Sequence, residues 1–229
     1  MTLLTGLEVV MSLQPLPREF YLRDTVTVAL DLLGKRLVRA TRWGRLEGRI
    51  VEVEAYLAEG DPACHAARGP TRKSAVMFGP AGLLYVYAIH SRHCLNVVTE
   101  PRGVGAAVLI RALEPISGIP VMQQQRGREK PLELTRGPGR LCEALAVDRR
   151  LNGWNLTRGQ RIWLRSEPAG ETLPAPRILT SPRIGISTNQ EALLRFFVAD
   201  NPFVSGKRHG LPVTSTATQT SCCPKSSSS

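Results

Sequence analysis

No run of about eighteen consecutive apolar residues, the length a helix needs to cross a bilayer, occurs in the 229-residue chain. The N-terminus also lacks the charged-then-apolar order of a secretory signal, so the expectation is a soluble, intracellular protein with no membrane partner. The five cysteines, Cys64, Cys94, Cys142, Cys222 and Cys223, form no C-x-x-C pair and no Cys/His spacing suited to zinc. They read as core or incidental thiols in a reducing compartment, with no metal implied. Negative charge is scarce: nineteen Asp and Glu stand against thirty Lys and Arg, a formal net charge of +11. The basic residues are scattered through the body of the chain, which points to a polyanionic partner, nucleic acid ahead of an anionic membrane surface.

What is present is strand patterning that carries chemistry. Arg49-Ile-Val-Glu-Val-Glu-Ala-Tyr56 alternates, placing Glu52, Glu54 and Tyr56 on one face and Val51, Val53 and Ala55 on the other. Leu84-Tyr-Val-Tyr-Ala-Ile89 places Tyr85, Tyr87 and Ile89 on one face of another strand, and His65 lies between the two motifs. A carboxylate among flat side chains can hold a planar ring and activate water beside it.

The length fits one domain that buries a core without staples. Residues 1–16 read as a disordered leader containing a second methionine, Met11, and the Ser-rich stretch from 207 to 229 as a disordered tail. Between them, Asp24 is an N-cap before Val26, Ala29, Leu30 and Leu33 at helical spacing, and Gly34 closes that helix. Strands are expected at Lys35–Thr41 and Leu46–Tyr56 around a Trp43-Gly44 turn, then at Leu83–Ile89, Cys94–Val98 and Val104–Leu113. Residues 57–82 have no period and contain His65, Arg68, Arg72 and Lys73, so they read as a functional loop. Helices follow at Ile119–Arg126 and from Gly137-Pro-Gly139 through Ala146. The fold expectation is a mixed α/β (α+β) single domain on a curved antiparallel sheet, a meander and not a βαβ pattern.

The blocks 49–57, Asp61 to His65, Gly82-Leu-Leu-Tyr-Val-Tyr87, Cys94-Leu-Asn-Val97 and Leu109-Ile-Arg-Ala-Leu-Glu-Pro115 occur in the order of the alkyladenine (3-methyladenine) DNA glycosylase family. Thr135–Arg140, Ser181–Gly185 and Asn201–Ser205 agree, so the chain resembles that family over residues 17–206. The resemblance implies a monofunctional enzyme that flips damaged purines out of double-stranded DNA and hydrolyses the N-glycosidic bond, leaving an abasic site. It makes Glu54 the general base for the attacking water and Arg111 the residue that orients that water. Tyr56, His65, Tyr87 and Asn96 become the base pocket, with Tyr56 and Tyr87 on opposite walls. Glu52 shares the face of Glu54 and is assigned a structural role. Substrates would be 3-methyladenine, 7-methylguanine, hypoxanthine and ethenoadenine. The protein would act as a monomer from the minor groove and use no cofactor.

The resemblance weakens at the hairpin that would insert into DNA. His90 stands where the family places an intercalating tyrosine, and His90-Ser91-Arg92-His93 is one residue shorter than the usual connection. His90 would fill the stack less firmly and Arg92 would add a groove or phosphate contact. Two rivals remain: a non-catalytic nucleic-acid-binding module, which needs no Glu54 with Arg111, and a helix-hairpin-helix glycosylase, pointed to weakly by Gly137-Pro-Gly139. No lysine stands within the strand motifs as an amine nucleophile.

Overall fold

The computed structural model describes residues 14–167 and 176–213. Helix α1 (Arg18–Tyr21) leads into α2 (Thr25–Leu32), which starts where the Asp24 carboxylate accepts from the backbone N–H and the hydroxyl of Thr27, at 2.8 and 2.9 Å. Val28, Ala29 and Leu32 are fully buried on one side of α2, and Gly34, at φ +85°, turns the chain into the first strand. The strands are β1 (Arg36–Thr41), β2 (Gly44–Tyr56), β3 (Leu84–Ile89), β4 (Arg92–Val98), β5 (Ala107–Ser117), β6 (Ile162–Arg165), β7 (Ile178–Ser181), β8 (Arg195–Val198) and β9 (Leu211–Pro212). They form one antiparallel sheet in the order β3-β4-β5-β2-β8-β7-β9, with β1 pairing both β2 and β6. Helices α3 (Ile119–Arg126) and α4 (Pro138–Ala144) complete the mixed α/β domain, α4 packing on β4 and β5.

The long strand β2 organises the sheet. It pairs β5 along one side, while on the other its first half pairs β1 and its second half pairs β8. Its alternation is not the simple one expected from the sequence. Ile50 faces Leu113 and Glu52 faces Ala112, so Val51 is an extra residue without a partner on β5. This bulge switches the parity of the strand. Leu46 and Ile50 join the main core before it, and Val53 and Ala55 join the same core after it. Val51 therefore does not share the apolar face of Val53 and Ala55, but packs with Ala112, Phe197 and Val204 in a separate cluster.

Several boundaries also shift. Strand β4 begins at Arg92, so the hairpin tip is the two-residue loop His90-Ser91 rather than a four-residue connection. Strand β5 starts later than expected because Val104 and Ala106 are taken up in local turns, and it runs on past Leu113 to Ser117 in its pairing with β2. Helix α4 ends at Ala144, and a short 3₁₀ turn, Ala75–Phe78, interrupts the 57–82 loop. Arg42-Trp43 forms the β1–β2 turn, with Gly44 already in the ladder. Leu16 is buried and its N–H donates to Leu164 O at 2.8 Å, while Leu211 and Pro212 pair with β7. Both interactions tie residues beyond the expected domain boundaries to the fold; residues 1–13 and 214–229, with Cys222 and Cys223, lie outside the described residues.

Candidate active site

The bulge in β2 delivers Glu52, Glu54 and Tyr56 to one place, where β5 brings Arg111. Both carboxylates are fully buried. Burying an ionised group without partners is costly, and each carboxylate here is held on both oxygens. Glu52 accepts from Arg111 Nε (2.9 Å), Arg195 Nε (2.8 Å), Ser205 N–H (2.6 Å) and Ser205 Oγ (3.0 Å). Glu54 accepts from the Ile184 N–H at 2.8 Å on Oε1 and from the Tyr56 hydroxyl at 2.9 Å on Oε2, with Arg111 Nη1 3.2 Å from Oε1. Burial works against the charge on Arg111, but Glu54 and Glu52 outweigh it and raise its pKa above the usual arginine value. Burial, reinforced by Glu54, raises the pKa of Tyr56, which keeps its phenol a donor to that carboxylate.

Beside this pair lies a cavity of about 250 Å³ walled by Tyr56, His65, Tyr85, Tyr87 and Asn96, with Met77 and Ile186 among its apolar contacts. All four pocket residues named from the sequence line it, and no lysine does. Glu54 and Arg111 are not among its lining residues; Glu54 sits behind Tyr56, and Arg111 opens onto the adjoining groove. His65 meets both tyrosines edge to face, its centroid 4.6 Å from that of Tyr87 at 72°, while Tyr85 and Tyr87 are tilted at 33° to each other. His65 Nδ1 is 3.0 Å from the Tyr85 hydroxyl, so Tyr85 is both core and pocket wall. Partial burial and then the charge of Lys73 lower the His65 pKa, favouring the neutral ring. Asn96 donates its amide to Tyr85 O at 3.0 Å, a backbone tie that fixes it on the pocket wall.

Asp61 and Arg183 brace the pocket, a role that sequence reasoning missed for both. They form a fully buried two-pronged pair at 2.6 Å per contact. Asp61 also accepts from the Leu57 N–H and the Asn189 amide, while Arg183 donates to Ala55 O and lies 4.7 Å over the Tyr56 ring. Burial alone would raise the Asp61 pKa; Arg183, Asn189 and Leu57 overcome it and hold the carboxyl below its usual value. Arg195 was likewise unforeseen.

At the hairpin, exposed His90 has φ +53°, and both it and Arg92 line a groove of about 580 Å³ with Arg111, Arg136 and Arg140. Arg92 packs so closely on Gly139 that a Cβ there would lie 2.7 Å from Arg92 Cδ. Ile89, an exposed apolar residue at 46%, lines both the groove and the ring-walled pocket. Among the described residues no group of three His, Cys, Asp or Glu is placed to hold a metal ion.

The chain that builds this site has relatives among known proteins. Residues 19–202 match the family described as "Methylpurine-DNA glycosylase (MPG)". A protein of Methanoculleus marisnigri named "Putative 3-methyladenine DNA glycosylase" is 49% identical over 191 residues, covering 83% of this chain and 98% of that protein. Proteins of the same name from Carboxydothermus hydrogenoformans and Legionella pneumophila are 46% and 48% identical, each covering 84% of this chain and 99% of the relative. The family match spans the β2 carboxylates, the pocket, the hairpin and the Arg183 brace, and the chain belongs to the methylpurine-DNA glycosylase family.

Proposed function

We propose that the protein binds duplex DNA through the minor groove as a monomer, flips out alkylated or deaminated purines and hydrolyses their N-glycosidic bond. The observation that carries this reading is the Glu54 carboxylate, fixed by Tyr56, Arg111 and the Ile184 N–H directly behind the aromatic pocket. The base enters between Tyr56 and Tyr87 against His65, with Asn96 limiting the exocyclic substituents that fit. Stacking with few base-specific hydrogen bonds tolerates several lesions, so 3-methyladenine, 7-methylguanine, hypoxanthine and ethenoadenine are all candidate substrates.

In the reaction the water oxygen bonds to C1′ as the bond from C1′ to the base nitrogen breaks. Glu54 takes the water's proton, and the bonding electrons leave with the base. A base alkylated at N3 or N7 departs neutral, whereas hypoxanthine and ethenoadenine leave as anions and take up a proton from solvent. Arg111 orients Glu54 and the attacking water. The pocket's lack of a lysine supports a monofunctional hydrolase that leaves an abasic site and an uncut backbone. His90 fills the vacated stack, and Arg92 contacts the groove or a phosphate.

Single-turnover release from duplexes carrying hypoxanthine or ethenoadenine, and from methylated DNA, tests this reading in wild type and Glu54→Gln. The expected result is alkali-revealed abasic sites with wild type and at least a hundredfold slower release with the variant. Tight DNA binding without release from any of these substrates would overturn it.

A further inference from the structure

The net charge of +11 is not evenly available to a partner, because many arginines are already taken by carboxylates. Arg150, for example, is held by Asp148 at 2.6 Å. Its neighbour Arg149 instead meets Arg72 and Lys73 around a separate concavity of about 310 Å³ whose lining contains no acidic residue. Among the described residues none of these three cations forms an ion pair, and Arg72, Lys73 and Arg149 are all exposed. Asn152 completes the lining; its Oδ1 accepts from the Val86 N–H at 2.9 Å, which leaves the amide N–H groups as donors. Like charges converging on a hollow with spare donors make an anion site, and no carboxylate in the lining competes for them.

The place of this basin narrows the anion. It runs along β3, the terminal strand of the sheet path, and Tyr87 is a wall of both this basin and the ring-walled pocket. Lys73 Nζ lies 5.1 Å from the Tyr87 centroid. The Arg92, Arg136 and Arg140 groove is lined instead by Arg92, His93 and Cys94 of β4, together with Ile89 and the tip of the same hairpin. A two-stranded ribbon is about 5 Å between strand axes, and the minor groove is about 6 Å wide with a phosphate backbone on each side. A ribbon entering it has one backbone along each edge.

We propose that Arg72, Lys73, Arg149 and Asn152 form a phosphodiester site for one DNA strand, across the hairpin from the strand held by Arg92, Arg136 and Arg140. The hairpin then enters between two backbones that are both gripped. This inference rests on the duplex-DNA reading above.

The test measures binding of a hypoxanthine duplex against salt concentration, using the full-length Glu54→Gln chain with and without Arg72→Ala/Arg149→Ala. Every phosphate left without its cation should reduce the slope of log K against log salt by about 0.9, so the expected change is roughly 1 to 2. Affinity at physiological salt should fall at least tenfold, with the melting temperature unchanged. Single methylphosphonate linkages scanned along both strands then locate the bound phosphates. Neutral linkages that no longer weaken binding should lie on one strand for Arg72→Ala/Arg149→Ala and on the other for Arg92→Ala/Arg140→Ala. An unchanged slope, or both variants mapping to the same strand, overturns the proposal. Base release by wild type is scored separately, so release with an unchanged slope sinks only the basin, while a changed slope without release sinks only the glycosylase reading.

Discussion

Arg111 divides one guanidinium between two buried carboxylates, its Nε 2.9 Å from Glu52 Oε1 and its Nη1 3.2 Å from Glu54 Oε1. The two acids differ in what else holds them. Glu52 also anchors Arg195 and Ser205, joining β2 to β8 and the chain beyond it, whereas Glu54 is held by a phenol and a backbone N–H at the pocket wall.

That difference predicts a split between stability and activity. Glu52→Gln removes the anion shared by Arg111 and Arg195, and breaking a buried pair from one side costs about 3–5 kcal/mol. Glu54→Gln leaves Arg111 paired with Glu52, and its amide can accept from the Ile184 N–H with its oxygen while its N–H group donates to the Tyr56 hydroxyl oxygen. It should cost clearly less stability while removing the general base. Chemical denaturation of both variants beside single-turnover base release reads the split. Equal losses of stability would show that the two carboxylates carry the fold alike.

His65 gives a pH prediction. Burial and then Lys73 lower its pKa in the folded chain, while the unfolded chain keeps the usual value near 6.5. Below pH 6.5 the unfolded state therefore binds more of this proton than the folded state, and stability falls as pH falls. The His65 contribution is fully present above pH 6.5 and declines as pH drops toward the folded value. NMR titration should place the His65 midpoint below 6.5 and move it upward in Lys73→Met. A midpoint above 6.5, or one indifferent to that substitution, would contradict the assigned causes.

That Glu54, Tyr56, Tyr85 and Tyr87 gather in one region was legible in the sequence, because they lie on strands whose period states which side chains travel together. The bulge was not, since a period-two pattern with one extra residue still looks alternating; Val51 is as apolar as Val53 and only the pairing with β5 tells them apart. Asp61 and Arg183 were hidden for another reason. They are separated by 122 positions, and in a chain with thirty basic residues an arginine carries little information until its partner is known. The available signals were the Asp61–His65 and Ser181–Gly185 blocks, which marked places without stating roles.

Gly105 joins packing to the site. A Cβ there would lie 2.4 Å from the Ala66 Cβ and 2.7 Å from the Phe78 ring, both on the loop that carries His65. Gly105→Ala must push that loop outward, with overpacking costing about 1–3 kcal/mol. Because His65 is next to Ala66, the displacement should also loosen the pocket wall. Thermal melting should show the loss of stability, and single-turnover titration should show weaker half-saturation by lesion DNA. Wild-type values for both would mean that the loop yields elsewhere.

The hairpin tip sets the last prediction. With Ile89 paired to Arg92, His90 and Ser91 alone make the turn, and His90 adopts φ +53°, a left-handed conformation that histidine tolerates better than bulky residues do. Glycine would relax the backbone there but remove the ring, while tyrosine would enlarge the ring at some backbone cost. If the side chain at 90 occupies the space left by the flipped nucleotide, return of the base to the stack should be slowest in His90→Tyr, intermediate in wild type and fastest in His90→Gly. Stopped-flow fluorescence of 2-aminopurine beside the lesion measures that return directly. The same rate in all three proteins would move the wedge away from position 90, leaving Ile89, the exposed apolar residue shared by groove and pocket, to fill the stack.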